Sequence, residues 1–305
     1  MINQGIQGYC GIELGGTSSA AAIVDEDGKY VLKQKNITAE NPTTLILTLS
    51  NILRNSSYTC EALGIASFGP LNLEAGTIGK SPKKNWSYFP VKAEFRKYFP
   101  NIHISLETDV NAPAYTEYME FLKKNNSIKS LAYLTIGTGI GLGLYSNGGI
   151  YHGRYHPEFG HIYIKKLQND TFSGVCRIHG DCAEGLISAS AIAKRLGMTM
   201  QDIRNIQNDH PIWDLYVEYV SQIVANAAMA YSLDVFVIGG GVTTDPKRSF
   251  LYDRIYSRAG ELINDYVQMP LVVRPHFDRD AGLNAAVTIA RQGITSFESS
   301  FKDSL

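Results

Sequence analysis

Two glycine-rich turns lie far apart in this sequence, and each follows an apolar stretch that is typical of a β-strand. The first is Glu13-Leu14-Gly15-Gly16-Thr17, and the second is Leu134-Thr135-Ile136-Gly137-Thr138-Gly139-Ile140-Gly141. Glycine has no Cβ, so the backbone N–H groups of such turns can surround an anion. A pair of turns of one kind, both with Thr hydroxyls, predicts that the two hold a single polyphosphate.

A carboxylate, Asp109, follows the predicted strand Ile102 to Glu107. At the carboxyl end of a strand in an open α/β sheet, a side chain faces the crevice where ligands bind. Asp109 could accept a proton there from a substrate hydroxyl, a role worth roughly 10²–10⁴ in rate. The spacing supports equally well a cap on the helix that follows, and both interpretations stand.

Cys176, His179 and Cys182 recur at intervals of three residues in a polar loop. Structural zinc takes four Cys or His ligands in a tetrahedron, so a fourth ligand must come from elsewhere. His161 is the nearest candidate and His156 the second. Four filled positions leave none for water, so we expect a structural Zn²⁺; the alternative is a pair of free thiols.

The other two cysteines, Cys10 and Cys60, lie in apolar runs that resemble strands. Four cysteines are too few for a disulfide framework. We therefore interpret Cys10 and Cys60 as separate, buried, small hydrophobic residues.

Composition excludes several classes of partner. The 305 residues carry a net charge of -1, with an isoelectric point near 6.7, so we expect neither nucleic acid nor an anionic membrane as partner. No apolar run approaches the roughly 20 residues of a membrane span. Met1 to Gly11 lacks the pattern of a signal peptide, and we expect a cytoplasmic location.

Apolar periodicity places a strand on each side of both turns. Tyr9 to Leu14 and Ala20 to Val24 enclose the first turn, while Ser130 to Thr135 and Gly141 to Ser146 enclose the second. The same α/β pattern therefore occurs twice in the sequence, as an internal repeat. Further strands are predicted at 30–36, 62–66 and 235–238, and helices at 41–53, 112–124, 189–196, 213–233 and 282–292.

The repeated pattern predicts two α/β domains with a ligand cleft between them. The first takes residues 1–112 and is completed by a C-terminal helix at 285–305. The second takes residues 113–284 and contains the zinc loop at 156–182. The sequence has neither a P-loop motif nor a dinucleotide-binding G-x-G-x-x-G unit, and we expect ATP between the two halves.

Six motifs occur in the order expected of one family. They are Glu13-Leu14-Gly15-Gly16-Thr17, Thr108-Asp109-Val110-Asn111-Ala112, Thr135-Ile136-Gly137-Thr138-Gly139-Ile140-Gly141, His156-Pro157-Glu158-Phe159-Gly160-His161, Cys182-Ala183-Glu184-Gly185 and Ile238-Gly239-Gly240-Gly241-Val242. From about residue 8 to 292, the sequence resembles the ROK family of sugar kinases and sugar-responsive repressors. The resemblance implies a two-domain actin-like ATPase (ribonuclease H-like) fold.

Within that family, the sequence is most similar to bacterial ROK fructokinases. The similarity rests on Gly64-Ile65-Ala66-Ser67-Phe68-Gly69-Pro70, on Ser81-Pro82-Lys83-Lys84-Asn85-Trp86 and on the Cys-x-x-His-x-x-Cys loop. The chain departs from many ROK kinases in having Glu13 for Asp and Ser18 for Lys. Its metal loop is also a variant of the usual Cys-x-Cys-Gly-x-x-Gly-Cys.

The resemblance assigns a role to each motif. Asp109 is the expected catalytic base. The expected sugar contacts are Gly69, Thr108, Asp109, Glu158, His161 and Glu184. The expected ATP contacts are Gly15, Gly16, Thr17, Thr138, Gly139, Gly239, Gly240 and Gly241, and the expected zinc ligands are His161, Cys176, His179 and Cys182.

The resemblance thus implies an ATP-dependent hexose kinase that uses Mg²⁺, with fructose 6-phosphate as its product. Glucose, mannose and N-acetylmannosamine are the alternative substrates. A sugar-responsive regulator is disfavoured, because the first turn begins at residue 13 and leaves no room for a DNA-binding domain before it. We also expect a homodimer.

Lys83 and Trp86 allow two interpretations. Lys83 could reach a sugar hydroxyl or the transferred phosphate, and Trp86 could cover an apolar face of the sugar. Alternatively, both are loop residues, with Trp86 holding the loop against the core.

Overall fold

The computed structural model describes residues 6–39, 41–81 and 83–293. These residues form two compact units. Among them, unit 1 consists of 6–116, 152–156 and 282–293, and unit 2 consists of 117–151 and 157–281. The chain therefore passes from one unit to the other at 116/117, 151/152, 156/157 and 281/282.

Unit 1 contains a mixed β-sheet with helices. Its described strands are β1 (Ile6–Leu14), β2 (Ser19–Val24), β3 (Tyr30–Ile37), β4 (Tyr58–Ser67), β5 (Leu71–Asn72), β6 (Thr77–Ile78) and β7 (His103–Thr108). Its helices include α1 (Pro42–Arg54), α2 (Val91–Arg96) and the start of α3 (Asn111–Leu122), which continues into unit 2. The five long strands lie in the order β3-β2-β1-β4-β7, with β2 antiparallel to its neighbours and β1, β4 and β7 parallel.

The residues around Asn41 explain where α1 begins. The Oδ1 atom of Asn41 accepts a hydrogen bond from the Thr44 N–H at 2.9 Å. Pro42 takes the first helical position, where its missing N–H has no intrahelical partner to lose. Leu45 and Leu49 lie four residues apart and are buried against the sheet, and the predicted helix is confirmed.

The structure corrects the interpretation of two cysteines. Cys10 in β1 and Cys60 in β4 form a disulfide, with their Cα atoms 5.7 Å apart. The register between these parallel neighbours shifts after Gly8, which pairs with Cys60. The prediction of two separate thiols was wrong, because the spacing of cysteines along the chain does not indicate which strands become neighbours.

Unit 2 repeats the plan of unit 1. Its described strands are β8 (Ser130–Ile136), β9 (Ile140–Ser146), β10 (Gly149–Ile150), β11 (Val235–Gly239) and β12 (Leu271–Val273). Its helices include α4 (Ala183–Ile187), α5 (Ala189–Leu196), α6 (Ile212–Tyr231) and α7 (Phe250–Ile263). The strand order is β10-β9-β8-β11-β12, with β9 antiparallel to its neighbours and β8, β11 and β12 parallel. The repeat that the two glycine turns predicted is confirmed.

The long helix α6 lies at the centre of the core of unit 2. Trp213, Tyr216 and Tyr219 are fully buried on it. The helix α7, which the sequence analysis did not predict, packs against α6, and the Ser221 hydroxyl donates to the Ile255 carbonyl at 3.2 Å. These contacts fix the layer of helices that supports the sheet of unit 2.

The last described helix, α8 (Ala281–Gln292), returns to unit 1 and covers the second face of its sheet. Leu283 and Val287 pack there against Ala20 of β2. A Cβ on Gly64 in β4 would overlap the carbonyl oxygen of Ala286. Glycine at this position therefore permits the close approach of helix and sheet.

The predicted C-terminal helix at 285–305 falls partly on α8, which ends at Gln292; residues 294–305 lie outside the described residues. Within the part of the chain that the structure describes, no helix has both the length and the apolar character that a bilayer crossing requires.

Candidate active site

The structure brings four of the predicted site positions together at one edge of the sheet of unit 1. In the parallel strands β1, β4 and β7, Leu14 pairs with Ser67 and Ser67 pairs with Thr108. The Phe68 N–H donates to the Leu14 carbonyl at 2.9 Å, and the Asp109 N–H donates to the Ser67 carbonyl at 2.8 Å. The carboxyl ends of these three strands therefore lie side by side. They carry the first glycine turn, Gly69, Thr108 and Asp109.

The first turn connects β1 to β2 and is open at its tip. The Gly15 N–H donates to the Ser18 carbonyl at 3.1 Å, which closes the turn. Gly16 and Thr17 are exposed, and a Cβ on Gly16 would meet nothing within 4 Å. This open backbone is the geometry that an anion-binding turn requires.

Thr108, the residue before Asp109, makes a capping hydrogen bond to the helix that follows. Its Oγ1 accepts from the Asn111 N–H, in the first turn of α3, at 2.9 Å. Thr108 is buried, whereas Asp109 is partly exposed at the strand end. The position of Asp109 thus suits a proton acceptor, and its role as the base stays a prediction.

Sequence reasoning missed Glu107, the buried carboxylate beside this edge. Its Oε1 accepts from the Thr108 N–H at 2.7 Å, and its Oε2 lies 2.9 Å from Nε2 of His152. At 1% exposure, this carboxylate needs the hydrogen bond from Thr108, and the His152 ring lies close to its other oxygen. The signal was an acidic residue in a strand that is otherwise buried, but its partner 45 positions away could not be read from the sequence.

A cavity of about 250 Å³ opens beside Thr108 in unit 1. One water molecule takes about 30 Å³, so the cavity has room for several waters or for one small polar molecule. A Cβ on Gly69 would lie 2.6 Å from Cε1 of His156, so glycine lets this ring approach the strand end. The remaining lining residues are Leu71, Asn72, Leu73, Glu74, His152, Gly153, Arg154 and Tyr155.

The second glycine turn connects β8 to β9 and is held from the side by helices of unit 2. The Gly137 N–H donates to the Gly139 carbonyl at 2.9 Å. The Ser190 hydroxyl donates to the Thr138 carbonyl at 2.7 Å, and the Ala189 N–H donates to the Gly137 carbonyl at 2.8 Å. The start of α5 therefore fixes this turn.

Glu184 in α4 lies directly against the second turn. Its Oε2 accepts a hydrogen bond from the Ile140 N–H at 3.1 Å. A Cβ on Gly139 would come within 2.5 Å of the same oxygen. The residue that the family resemblance assigned to the sugar thus also positions the backbone of the second predicted phosphate turn.

The glycine run at the end of β11 lies beside β8. Gly239 pairs with Thr135, and the Val242 N–H donates to the Ile136 carbonyl at 3.3 Å. Gly240 has φ of +87°, and a Cβ there would overlap the backbone of Ile136. The structure therefore places this run next to the strand that enters the second turn.

Four predicted metal ligands converge in unit 2. The Nδ1 atom of His161 lies 3.7 Å from Sγ of Cys176 and 3.6 Å from Sγ of Cys182, and Nδ1 of His179 lies 3.9 Å from Sγ of Cys176. One donor atom from each residue lies within 4.8 Å of the others. Zn–S bonds of about 2.3 Å and Zn–N bonds of about 2.0 Å fit these separations. The alternative ligand, His156, lies beside Gly69.

His161 faces two groups at once. Its Nδ1 points to the cysteines, while its Nε2 lies 4.0 Å from Oε2 of Glu158. A metal on Nδ1 would leave the proton on Nε2, on the side of the predicted sugar contact Glu158. The arrangement can therefore orient the Nε2–H toward a polar ligand.

The loop before α2 places Lys83 and Trp86 differently. Trp86 is only 4% exposed and packs edge-on against Phe68 and Phe89, with ring centroids 5.1 and 5.3 Å away. This burial supports the interpretation that Trp86 holds the loop against the core. Lys83 is half-buried, and its Nζ donates to the Gly15 carbonyl in the first turn at 3.1 Å.

Two sheets of one plan, each with a glycine turn after its central strand, define an α/β protein with an internal repeat. The ROK glucokinase of Streptomyces griseus, solved with glucose and AMPPNP, superposes with a TM-score of 0.77 at 21% identity, over 93% of this chain and 99% of that one. The predicted actin-like ATPase fold is confirmed. The chain belongs to the ROK family, whose model matches residues 9–293.

Several relatives of this chain are named fructokinase. The protein of Lactococcus lactis subsp. cremoris is 35% identical over 274 residues, which are 88% of this chain and 89% of that protein. The protein of Pediococcus pentosaceus is 30% identical over 292 residues, which are 93% of this chain and 97% of that protein.

Proposed function

We propose that this chain is an ATP-dependent hexose kinase that converts fructose to fructose 6-phosphate. The observation that carries this proposal is the position of Asp109 at the strand ends where the first glycine turn also begins. Similarity to proteins named fructokinase, over nearly the whole chain, supports fructose as the substrate.

In this reaction, Asp109 accepts the proton of the sugar hydroxyl as its oxygen attacks the γ-phosphorus of ATP. The bond between the γ-phosphorus and the bridging oxygen breaks, and ADP leaves. Mg²⁺ enters with ATP and neutralises part of the phosphate charge. Phosphoryl transfer needs little covalent help, so positioning and electrostatic stabilisation supply most of the rate.

The glycine turns bind the nucleotide. Backbone N–H groups of Gly16 and Thr17 hold phosphate oxygens, while Gly15 closes the turn beside the phosphate, and the open tip of that turn supports this role. Thr138 and Gly139 contribute from the second turn. The run Gly239 to Gly241 lies against the adenosine, where the absence of side chains allows a flat ring to approach.

The sugar is held by hydroxyl contacts to Gly69, Thr108, Glu158, His161 and Glu184. The cavity beside Thr108 in unit 1 supports a sugar at this edge. A site built to hydrogen-bond particular hydroxyls rejects sugars that misplace them, because its buried polar groups are then left without partners.

A structural Zn²⁺ is bound by His161, Cys176, His179 and Cys182. The convergence of their donor atoms supports this assignment. When bound, the ion would link His161, Cys176 and His179 to the start of α4, because its fourth ligand, Cys182, directly precedes that helix. It would thereby stabilise the segment that carries Glu184.

We further propose that the chain acts in the cytoplasm, where ATP is available, and that it forms a homodimer. Light scattering coupled to size-exclusion chromatography tests the dimer directly. A monomer at micromolar concentration would contradict it.

A coupled assay of ADP release across fructose, glucose, mannose and N-acetylmannosamine tests the function. We expect fructose to have the highest kcat/KM. A tenfold higher kcat/KM with another hexose, about 1.4 kcal/mol of transition-state binding, would contradict fructose as the substrate. The proposal of a hexose kinase would still stand. Absence of ADP release with every hexose would contradict the kinase itself.

A further inference from the structure

The first glycine turn has a cation beside it that comes from another part of the chain. The turn itself, Gly15-Gly16-Thr17-Ser18, contains no basic residue. The ammonium group of Lys83, which lies 68 positions further along the chain, donates to the Gly15 carbonyl at 3.1 Å. A positive charge therefore lies at the backbone of the turn to which the proposed function assigns the phosphates.

Aromatic rings hold the Lys83 ammonium in place. Its Nζ lies 4.5 Å from the ring centroid of Phe68 and 5.2 Å from that of Trp86. Both rings belong to the packed core of unit 1, and they attract a cation through their faces. The side chain is thus fixed by its surroundings, as a group that must meet a reacting atom needs to be.

The same ammonium is electrostatically linked to the predicted base. Burial lowers the pKa of Lys83, and the negative charge of Asp109 acts in the opposite direction. Lys83 therefore lies within the range of both the first turn and Asp109. In a kinase, the transferred phosphoryl group moves from the nucleotide toward the oxygen that the base deprotonates.

On the basis of the proposed kinase function, we propose that Lys83 is a catalytic residue that binds the phosphoryl group during its transfer. Its ammonium donates an N–H to a phosphoryl oxygen and neutralises charge there. Lys83 keeps its proton throughout and forms no covalent bond. Lys83 thereby supplies the positive charge that the residues of the first turn lack.

Lys83→Met removes the charge while keeping most of the side-chain length, and Lys84→Met is the matched control on an exposed neighbour. We expect kcat for Lys83→Met to fall about 100-fold, as for the loss of one donor to transition-state charge. The KM for fructose should stay within about threefold. Lys84→Met should match the wild type, and Lys83→Arg should retain more activity than Lys83→Met.

Three outcomes would overturn the proposal. The first is a kcat for Lys83→Met within about threefold of the wild type. The second is a loss confined to the KM for fructose, which would make Lys83 a sugar contact. The third is a wild type that is inactive with every hexose, and this outcome alone also defeats the proposed function.

Thermal unfolding of each variant separates catalysis from folding. If Lys83→Met does not fold, Lys83→Gln decides the question, because it removes the charge but keeps a polar end on the side chain. A folded Lys83→Gln with wild-type kcat and an ADP–aluminium fluoride affinity unchanged from the wild type would contradict the contact. Weaker binding of that transition-state mimic, with ADP binding retained, would support it.

Discussion

The two glycine turns share a sequence pattern and a place in their sheets, but the side chains that bond to their backbones carry opposite charge. In unit 1, the carbonyl of Gly15 accepts a hydrogen bond from the ammonium of Lys83. In unit 2, the N–H of Ile140 donates to the carboxylate of Glu184. A repeated motif has thus acquired a cation at one copy and an anion at the other.

This difference indicates a division of roles. A cation beside the first turn favours the phosphate that undergoes chemistry, and Asp109 begins at the same strand ends. The carboxylate at the second turn uses one backbone donor and, with α5, stiffens the loop. We therefore expect the loss of a charged side chain near the first turn to reduce kcat, and changes near the second turn to affect stability and KM.

The sharpest comparison is between the carboxylates of the two units. We expect Asp109→Asn to lower kcat by about 100-fold or more, because the proton acceptor is lost. Glu184→Gln keeps an oxygen that can accept from Ile140, so its kcat should stay within about tenfold. Steady-state kinetics measures both, with Asp27→Asn as an exposed control. Near-normal kcat in a folded Asp109→Asn protein would show that Asp109 is not the catalytic base.

Loss of the metal should affect unit 2 next most strongly. We expect one Zn²⁺ per chain by elemental analysis and none in a Cys176→Ser/Cys182→Ser variant. Loss of a structural metal costs roughly 4 kcal/mol or more, so Tm should fall by about 8 °C or more. Arg177→Gln, at an exposed position between the ligands, is the control. Full zinc occupancy in the double variant would contradict the ligand set.

Alanine at two glycines of the second turn should separate its supports. A Cβ on Gly139 displaces the Glu184 carboxylate from Ile140, whereas a Cβ on Gly137 meets nothing within 4 Å. We expect Gly139→Ala to lose about 1 kcal/mol of stability, or about 2–4 °C in Tm. Gly137→Ala should leave the Tm close to that of the wild type. Equal Tm values for the two variants would mean that Glu184 does not stabilise the turn.

The smallest effect on stability is expected at the tip of the first turn. Gly16→Ala adds a methyl group where no atom lies within 4 Å, so Tm should change by less than about 2 °C. The methyl group would occupy the approach of a phosphate, and we expect the KM for ATP to rise about three- to tenfold. An unchanged KM would indicate that phosphate does not approach this face of the turn.

The sequence predicted most strands and helices because their signals are local. Asn41 and Pro42 set the start of α1, and apolar spacing set its buried face. The helix α7 was missed although Leu251, Ile255 and Ala259 recur at intervals of four. The signal for α7 is therefore as local as the signal for α1.

The parts of the site that sequence reasoning could not supply all join distant positions. The pairs are Cys10 with Cys60, Glu107 with His152, and Gly15 with Lys83. Each depends on which strands and loops become neighbours, and no local propensity determines that. The resemblance to a family supplied residue types and order, whereas only the fold gave the ammonium group beside Gly15 a defined partner.

The position of α8 has a consequence for how the protein is made. Strand β2 and Gly64 in β4 depend on α8 to cover their face of the sheet, yet α8 is synthesised after the whole of unit 2. At about 5–20 residues per second, translating residues 117–281 takes on the order of ten seconds or more. During that time α8 is not there to cover the first sheet, and unit 2 has all its residues before α8 is made. The unit that begins first in the chain is therefore the last that can finish folding.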